Sequence, residues 1–302
     1  MSVTVVPYGG WQKNLRLANK EIELIVTAEV GPRIIRLGFI GGPNEFVEYP
    51  EHLGKTGATE YLGYGGHRLW HAPEIRPRST YPDNHPVNWA QEGEGLSVTA
   101  PVETTTGMQK SMRIWVDPSR NHVHVTHRIT NHSLWPVTLA AWALSVMAPG
   151  GRLILPQEPY QPHPDHLLPA RPVVVWKYTD MSDPRFTWGR RFIQLRQDTS
   201  AKLPQKFGAL NIQGWAAYAN GDRVFLKKFP CEANASYPDF GCNCEFFTNA
   251  RMLEVESLSP LVSVAPGAAV AHEEHWYLFR NVEVGNTDEQ IEAVAGRLLA
   301  SL

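Results

Sequence analysis

Short apolar runs that alternate with polar residues, each closed by glycine or proline, recur along most of the chain and direct it to an all-β fold. Residues 21–27 read Glu-Ile-Glu-Leu-Ile-Val-Thr, and the run 33–39 follows a Gly31–Pro32 turn. Successive side chains of a strand point to opposite faces, so this period of two describes half-buried strands. Further runs at 96–102, 110–116 and 122–130 are separated by Gly107 and Asp117–Pro118. Residues 138–147 are more continuously apolar and stop at Pro149–Gly150–Gly151, as a strand covered on both faces would. The pattern resumes at 192–195, 215–219, 224–229, 245–248, 252–258 and 273–279. Strands this short at this spacing predict a sandwich or a barrel. One helix is signalled, near 287–300: Thr287 and Gln290 form a capping box, and Ile291, Val294 and Leu298 recur on one face. No internal repeat, low-complexity tract or linker-like charge block interrupts the pattern, which predicts a single domain over 1–302.

The charge balance removes several classes of partner. Twenty-eight basic residues face thirty acidic ones, a formal net charge of −2, so no strong field favours nucleic acid or an anionic membrane. No apolar run reaches the ~18 residues of a bilayer span. Residues 1–7 lack the basic and apolar regions of a secretory signal, and three cysteines make no disulfide framework, so a cytoplasmic location is expected. Ten tryptophans are the compositional oddity. Large aromatics fill cores, but such rings also form platforms for the apolar C–H faces of sugars.

Within the strand at 252–258, Leu253 and Val255 should face one way and Glu254 and Glu256 the other. Two carboxylates roughly 6–7 Å apart on one face repel each other and raise one pKa, which suits a general base near neutral pH. The same pattern also fits an edge strand with a wet outer face. A second cluster gathers His67, Arg68, Trp70 and Glu74 behind the Gly65–Gly66 pair, where backbone can approach a ligand closely. His67 and His71 have the spacing of a helical zinc pair, but Gly66 and Pro73 argue against a helix and the base glutamate is missing. His85 lies between prolines in an irregular loop, and the Pro-rich segment 156–190 carries Trp176. His122 and His124 share a face without a third ligand at local spacing, and Cys242–Asn243–Cys244 has the wrong gap for a zinc knuckle. Neither metal nor cofactor is expected.

Three segments together resemble the galactose mutarotase-like superfamily, the fold of the aldose 1-epimerases. They are Gly65–Gly66–His67–Arg68–Leu69–Trp70, then Pro136–Val137–Thr138–Leu139 leading to Pro149–Gly150–Gly151, then Leu253–Glu254–Val255–Glu256. The resemblance implies a large antiparallel β-supersandwich over residues 15–280. It also implies a small-molecule carbohydrate as partner and interconversion of sugar anomers by general acid and base. In that chemistry a late glutamate takes the proton of the anomeric hydroxyl and a mid-chain histidine protonates the ring oxygen. Glu254 matches the base, and Glu256 stands where a glutamine often follows. The histidine's place falls near Trp142, so His67 or His85 would have to supply the acid. Arg33 and Arg68 would bind hydroxyls, with Trp70 or Trp176 as stacking platform and Glu74 beside them. Two other readings stay open on the same scaffold. One is binding of a sugar or sugar acid without turnover, the other hydrolysis or elimination on a glycan.

Overall fold

The computed structural model describes residues 3–302, which build two large antiparallel sheets. The all-β sandwich expected from the alternating runs is the fold observed. The first sheet carries, in spatial order, the strands Arg33–Phe39, Gly66–Ala72, Val137–Met147, Leu253–Leu258, Cys244–Thr248 and Gln205–Ala209. The middle of the second is Arg223–Lys228, Ala269–Phe279, His122–Asn131 and Met108–Val116. Their inner faces share one core, with Leu69, Leu253 and Val255 from the first sheet against Ile114, Val125, Phe225 and Trp276 from the second. Period-two alternation is what makes this possible: each strand gives every other side chain to the core and turns the rest outward.

The strand Gly66–Ala72 was not legible as a strand, because polar residues occupy both of its faces. Gly65 and Gly66 begin it with φ of +91° and +73°, and a Cβ on Gly66 would lie 2.4 Å from the Ile34 carbonyl oxygen. Only glycine tolerates both the dihedral and the approach. The registers then place Arg68 beside Leu144, and Leu144 beside Glu256, in one row across three strands.

The C-terminal helix spans Asp288–Ala300, and both halves of the Thr287–Gln290 capping box are formed. Ile291 and Leu298 pack it onto Ile154, Phe192, Trp215 and Leu226 on the outer face of the second sheet. It lies away from the first sheet's outer face, where the candidate site forms.

Candidate functional site

The outward side chains of the first sheet line a cleft of about 450 Å³, within the ~300–1,000 Å³ typical of small-molecule sites. Arg68, Trp70, Glu74, Trp176 and Glu254 all line it, together with Tyr49, Tyr61, Trp142, Tyr178 and Lys206. Arg68 and Trp70 come from the strand Gly66–Ala72, Trp142 from Val137–Met147, and Glu254 from Leu253–Leu258.

Two charged groups organise the floor. Arg68 Nη2 donates to Glu254 Oε1 at 2.8 Å, and its guanidinium lies 4.4 Å from the centre of the Trp70 ring. Trp70 in turn meets Trp142 edge to face at 5.4 Å. Lys206 Nζ is 4.8 Å from the Trp142 ring centre and 4.6 Å from that of Trp176, and it pairs with Glu245 at 2.6 Å and Glu256 at 3.4 Å. Trp142 Nε1 also donates to Glu256 Oε2 at 2.7 Å.

Glu256 therefore faces the cleft side but is fully buried beneath Trp142 and Lys206, whereas Glu254 reaches the cleft itself. Three carboxylates stand against two cations here, so a dry floor favours one carboxyl holding a proton. Burial pushes Glu256 up to about 7 despite the pull of Lys206, with Glu254 adding to the rise. Burial likewise raises Glu245 well above the usual carboxylate range. For Lys206, burial alone would lower the pKa, but the carboxylates of Glu256 and Glu245 outweigh it and the ammonium is held more firmly than usual.

Three residues expected beside Glu254 lie elsewhere. His67 has the opposite parity to Arg68 on its strand and points between the sheets, fully buried. His85 lines a separate cavity of about 50 Å³ with Tyr81 and Asp83; Trp70 borders both cavities. Arg33 stays on the outer side but is fully buried, donating to the Gly65 carbonyl oxygen and to Asp83 Oδ2, both at 2.5 Å. It ties the chain before Gly66 to the segment around Asp83 and has no face toward the cleft. Among the described residues no histidine lines the cleft.

His67 instead joins a polar network inside the sandwich. His127 Nδ1 is 3.1 Å from the His272 carbonyl oxygen, which can only accept, so Nδ1 carries the proton of the neutral ring. His127 Nε2 then accepts from His67 Nε2 at 2.7 Å, and His67 Nδ1 accepts from Ser145 Oγ at 2.9 Å. On the other branch Ser257 Oγ, Lys227 Nζ and Trp276 Nε1 all donate to the Glu274 carboxylate, at 2.5, 2.7 and 2.8 Å. Burial holds all three histidines below their ordinary range, His127 and His272 at about 3. They are neutral at pH 7.

Sequence reasoning missed Lys206, Glu245 and the tyrosines of the cleft wall. Gln205–Ala209 did not read as a strand, and the one local signal was a lysine beside the apolar Phe207; the structure buries all five residues.

A scan of protein-family models and a search of curated proteins return no match. Solved structures do match. An aldose 1-epimerase candidate from Klebsiella pneumoniae superposes with a TM-score of 0.64 at 14% identity, covering 99% of this chain and 86% of the other. The fold is galactose mutarotase-like. A galactose mutarotase-like protein from Lactobacillus casei gives a TM-score of 0.54 at 8% identity over 88% of this chain and 100% of its own. A mutarotase candidate from Salmonella typhimurium gives 0.55 at 11% identity, covering 88% and 90%. At these identities the likeness concerns the mutarotase-like fold. The chemistry has to be argued from the cleft.

Proposed function

We propose that the cleft binds a carbohydrate of about one ring, and that recognition rather than turnover is its primary task. The observation that carries this reading is the Arg68–Glu254 pair set among Trp70, Trp142 and Trp176 in one concavity. A guanidinium and a carboxylate side by side offer donors and acceptors to adjacent hydroxyls, and the indole faces take the apolar face of the ring. The mutarotase-like fold of the structural neighbours supports the same ligand class.

Anomer interconversion is the second reading, favoured by the placement of Glu254 at the cleft surface. Glu254 would remove the anomeric proton as general base. The ring oxygen still needs a proton donor, and the cleft offers no imidazole. Lys206 is bound to two carboxylates and holds its proton too firmly to lend it. For this reason recognition ranks first. Hydrolysis of a glycan ranks last, because Glu254 and Glu256 sit on one strand face and Glu256 is covered, so they cannot flank a glycosidic bond.

The test begins with a thermal-shift screen of monosaccharides and uronic acids, confirmed by calorimetry. Anomer exchange of each binder is then followed by NMR. Binding that Glu254→Gln and Trp176→Ala both weaken, with exchange at the uncatalysed rate, supports recognition. Accelerated exchange abolished by Glu254→Gln would replace it with the epimerase reading. A sugar that binds undiminished in both variants would place the site elsewhere.

A further inference from the structure

The outer face of the second sheet carries a histidine cluster that the cleft does not involve. His124 stands directly opposite His275 on the neighbouring strand Ala269–Phe279, and the two imidazoles stack at 4.3 Å with 8° between their planes. Glu273 precedes His275 by two residues on the same face, and its Oε2 lies 3.7 Å from His124 Nε2. One ligand atom from each of the three lies within 4.8 Å of the others. The third ligand that His122 and His124 lacked in the sequence is thus supplied across the sheet.

Two further observations distinguish this cluster from ordinary polar packing. His124 Nε2 is shielded from solvent and has no hydrogen-bond partner. A polar nitrogen in that condition is costly unless something meets it. The second is a relay behind His275. His122 Nε2 is 3.0 Å from His275 Nδ1, and His122 Nδ1 is 4.0 Å from Asp117 Oδ2. With the His275 Nδ1 proton donated to His122 Nε2, the His122 Nδ1 proton faces Asp117 and His275 Nε2 keeps a free lone pair. Metal-binding imidazoles are commonly oriented by a hydrogen bond from the other ring nitrogen, the part that His122 plays for His275 here.

We propose that His124, Glu273 and His275 form a site for a divalent transition-metal ion of the zinc class, with His122 and Asp117 positioning His275. Two imidazoles and one carboxylate suit Zn²⁺ or Cu²⁺ better than Mg²⁺ or Ca²⁺, which prefer all-oxygen shells. The parallel rings must tilt toward a shared point to bring their nitrogens to about 2.0–2.1 Å from the ion. The Glu273 side chain, 57% exposed, has room to follow. The fourth position is left to water. Such an ion would link two central strands of the second sheet.

Calorimetric titration of the full chain with ZnCl2 tests this, with Co²⁺ as a spectroscopic substitute. A single equivalent should bind and raise the melting temperature. His124→Gln and His275→Gln should each weaken binding more than about tenfold, the lower end of what even outer-sphere partners contribute. Glu273→Gln, at an exposed position, gives a variant with little risk to folding and should weaken it as well. His122→Gln should have a smaller effect, and Glu254→Gln none. Absence of Zn²⁺ binding at millimolar metal, or binding undiminished in the folded H124Q/H275Q double variant, would overturn the proposal. So would a Co²⁺ spectrum with thiolate charge-transfer bands, which would place the metal on cysteine.

Discussion

The cleft and the internal network lie on opposite sides of the same three strands, and they treat their charges differently. On the outer side Arg68, Glu254, Lys206, Glu245 and Glu256 share charge unevenly, with buried oxygens of Glu245 and Glu256 and the Arg68 Nε left without partners. On the inner side the Glu274 carboxylate accepts three hydrogen bonds and both nitrogens of His67 and of His127 are engaged, while His272 Nδ1 and both nitrogens of His71 are left without partners. The paired groups around Glu274 and His127 serve the fold, since buried polar groups rigidify a core where their hydrogen bonds are met. Of the unpaired outer groups Arg68 alone lines the cleft and can still meet a ligand, whereas Glu245 and Glu256 lie beneath its floor. The difference is set by strand parity: Arg68 and His67 are adjacent in sequence and belong to different functions.

The sharpest way to break this comparison is to cut the inner ion pair. Lys227 and Glu274 are both fully buried, so Lys227→Met or Glu274→Gln alone leaves an uncompensated charge. Each should cost about 3–5 kcal/mol of folding stability by urea denaturation. A loss below about 1 kcal/mol would mean that the inner network is no structural lock.

Next in size is the outer pair. Glu254→Gln should weaken sugar binding by about 1.5–3 kcal/mol, the range for a hydrogen bond to a charged group, as read by calorimetry. It should cost less folding stability than either inner variant, because Arg68 keeps the Trp70 face and the open cleft. A stability loss as large as that of Glu274→Gln would erase the distinction between the two sides. Trp176→Ala comes third. It removes one wall of the Lys206 sandwich and should reduce sugar affinity by about 0.5–1.5 kcal/mol, the scale of an aromatic contact. Unchanged affinity would remove Trp176 from the binding surface.

These side chains were not equally legible in the sequence. Leu253 and Val255 turn inward and Glu254 and Glu256 outward, because strict alternation leaves a strand only one way to bury its apolar half. The helix followed from its capping box for the same local reason. His67 was ambiguous in principle: in Gly-His-Arg-Leu-Trp-His-Ala each parity carries both polar and apolar residues, and only the neighbouring strands decide which face is inner. Arg33 finds Asp83 fifty positions away, and Lys206 finds Glu245 and Glu256, through pairings that no local window contains. The sandwich was written in short-range pattern. The cleft was assembled by register.

The smallest expected effect is on the pH profile, because the two sides oppose each other. His67, His127 and His272 have folded pKa values depressed from 6.5 by burial, so the unfolded chain takes up protons first as pH falls. Their contribution to stability is complete above about pH 6.5 and is lost progressively as pH falls, for His127 and His272 down to about 3. Glu256 is raised from 4.5 to about 7, and Glu245 is raised as well, so here the folded chain binds the proton more tightly. The Glu256 contribution is complete below about pH 4.5 and is lost as pH rises through about 7, and that of Glu245 is likewise lost as pH rises. Between pH 4.5 and 6.5 the slopes have opposite signs, but burial depresses His71, His122 and His275 as well, so the histidines outweigh the carboxylates and the melting temperature should rise with pH. Glu256→Gln substitutes a permanently neutral amide and removes that part of the outer term. Its melting temperature should then rise with pH more steeply than that of the wild type across this window. Parallel profiles would show that Glu256 does not carry the proton, and that the outer charges are settled by their ion pairs alone.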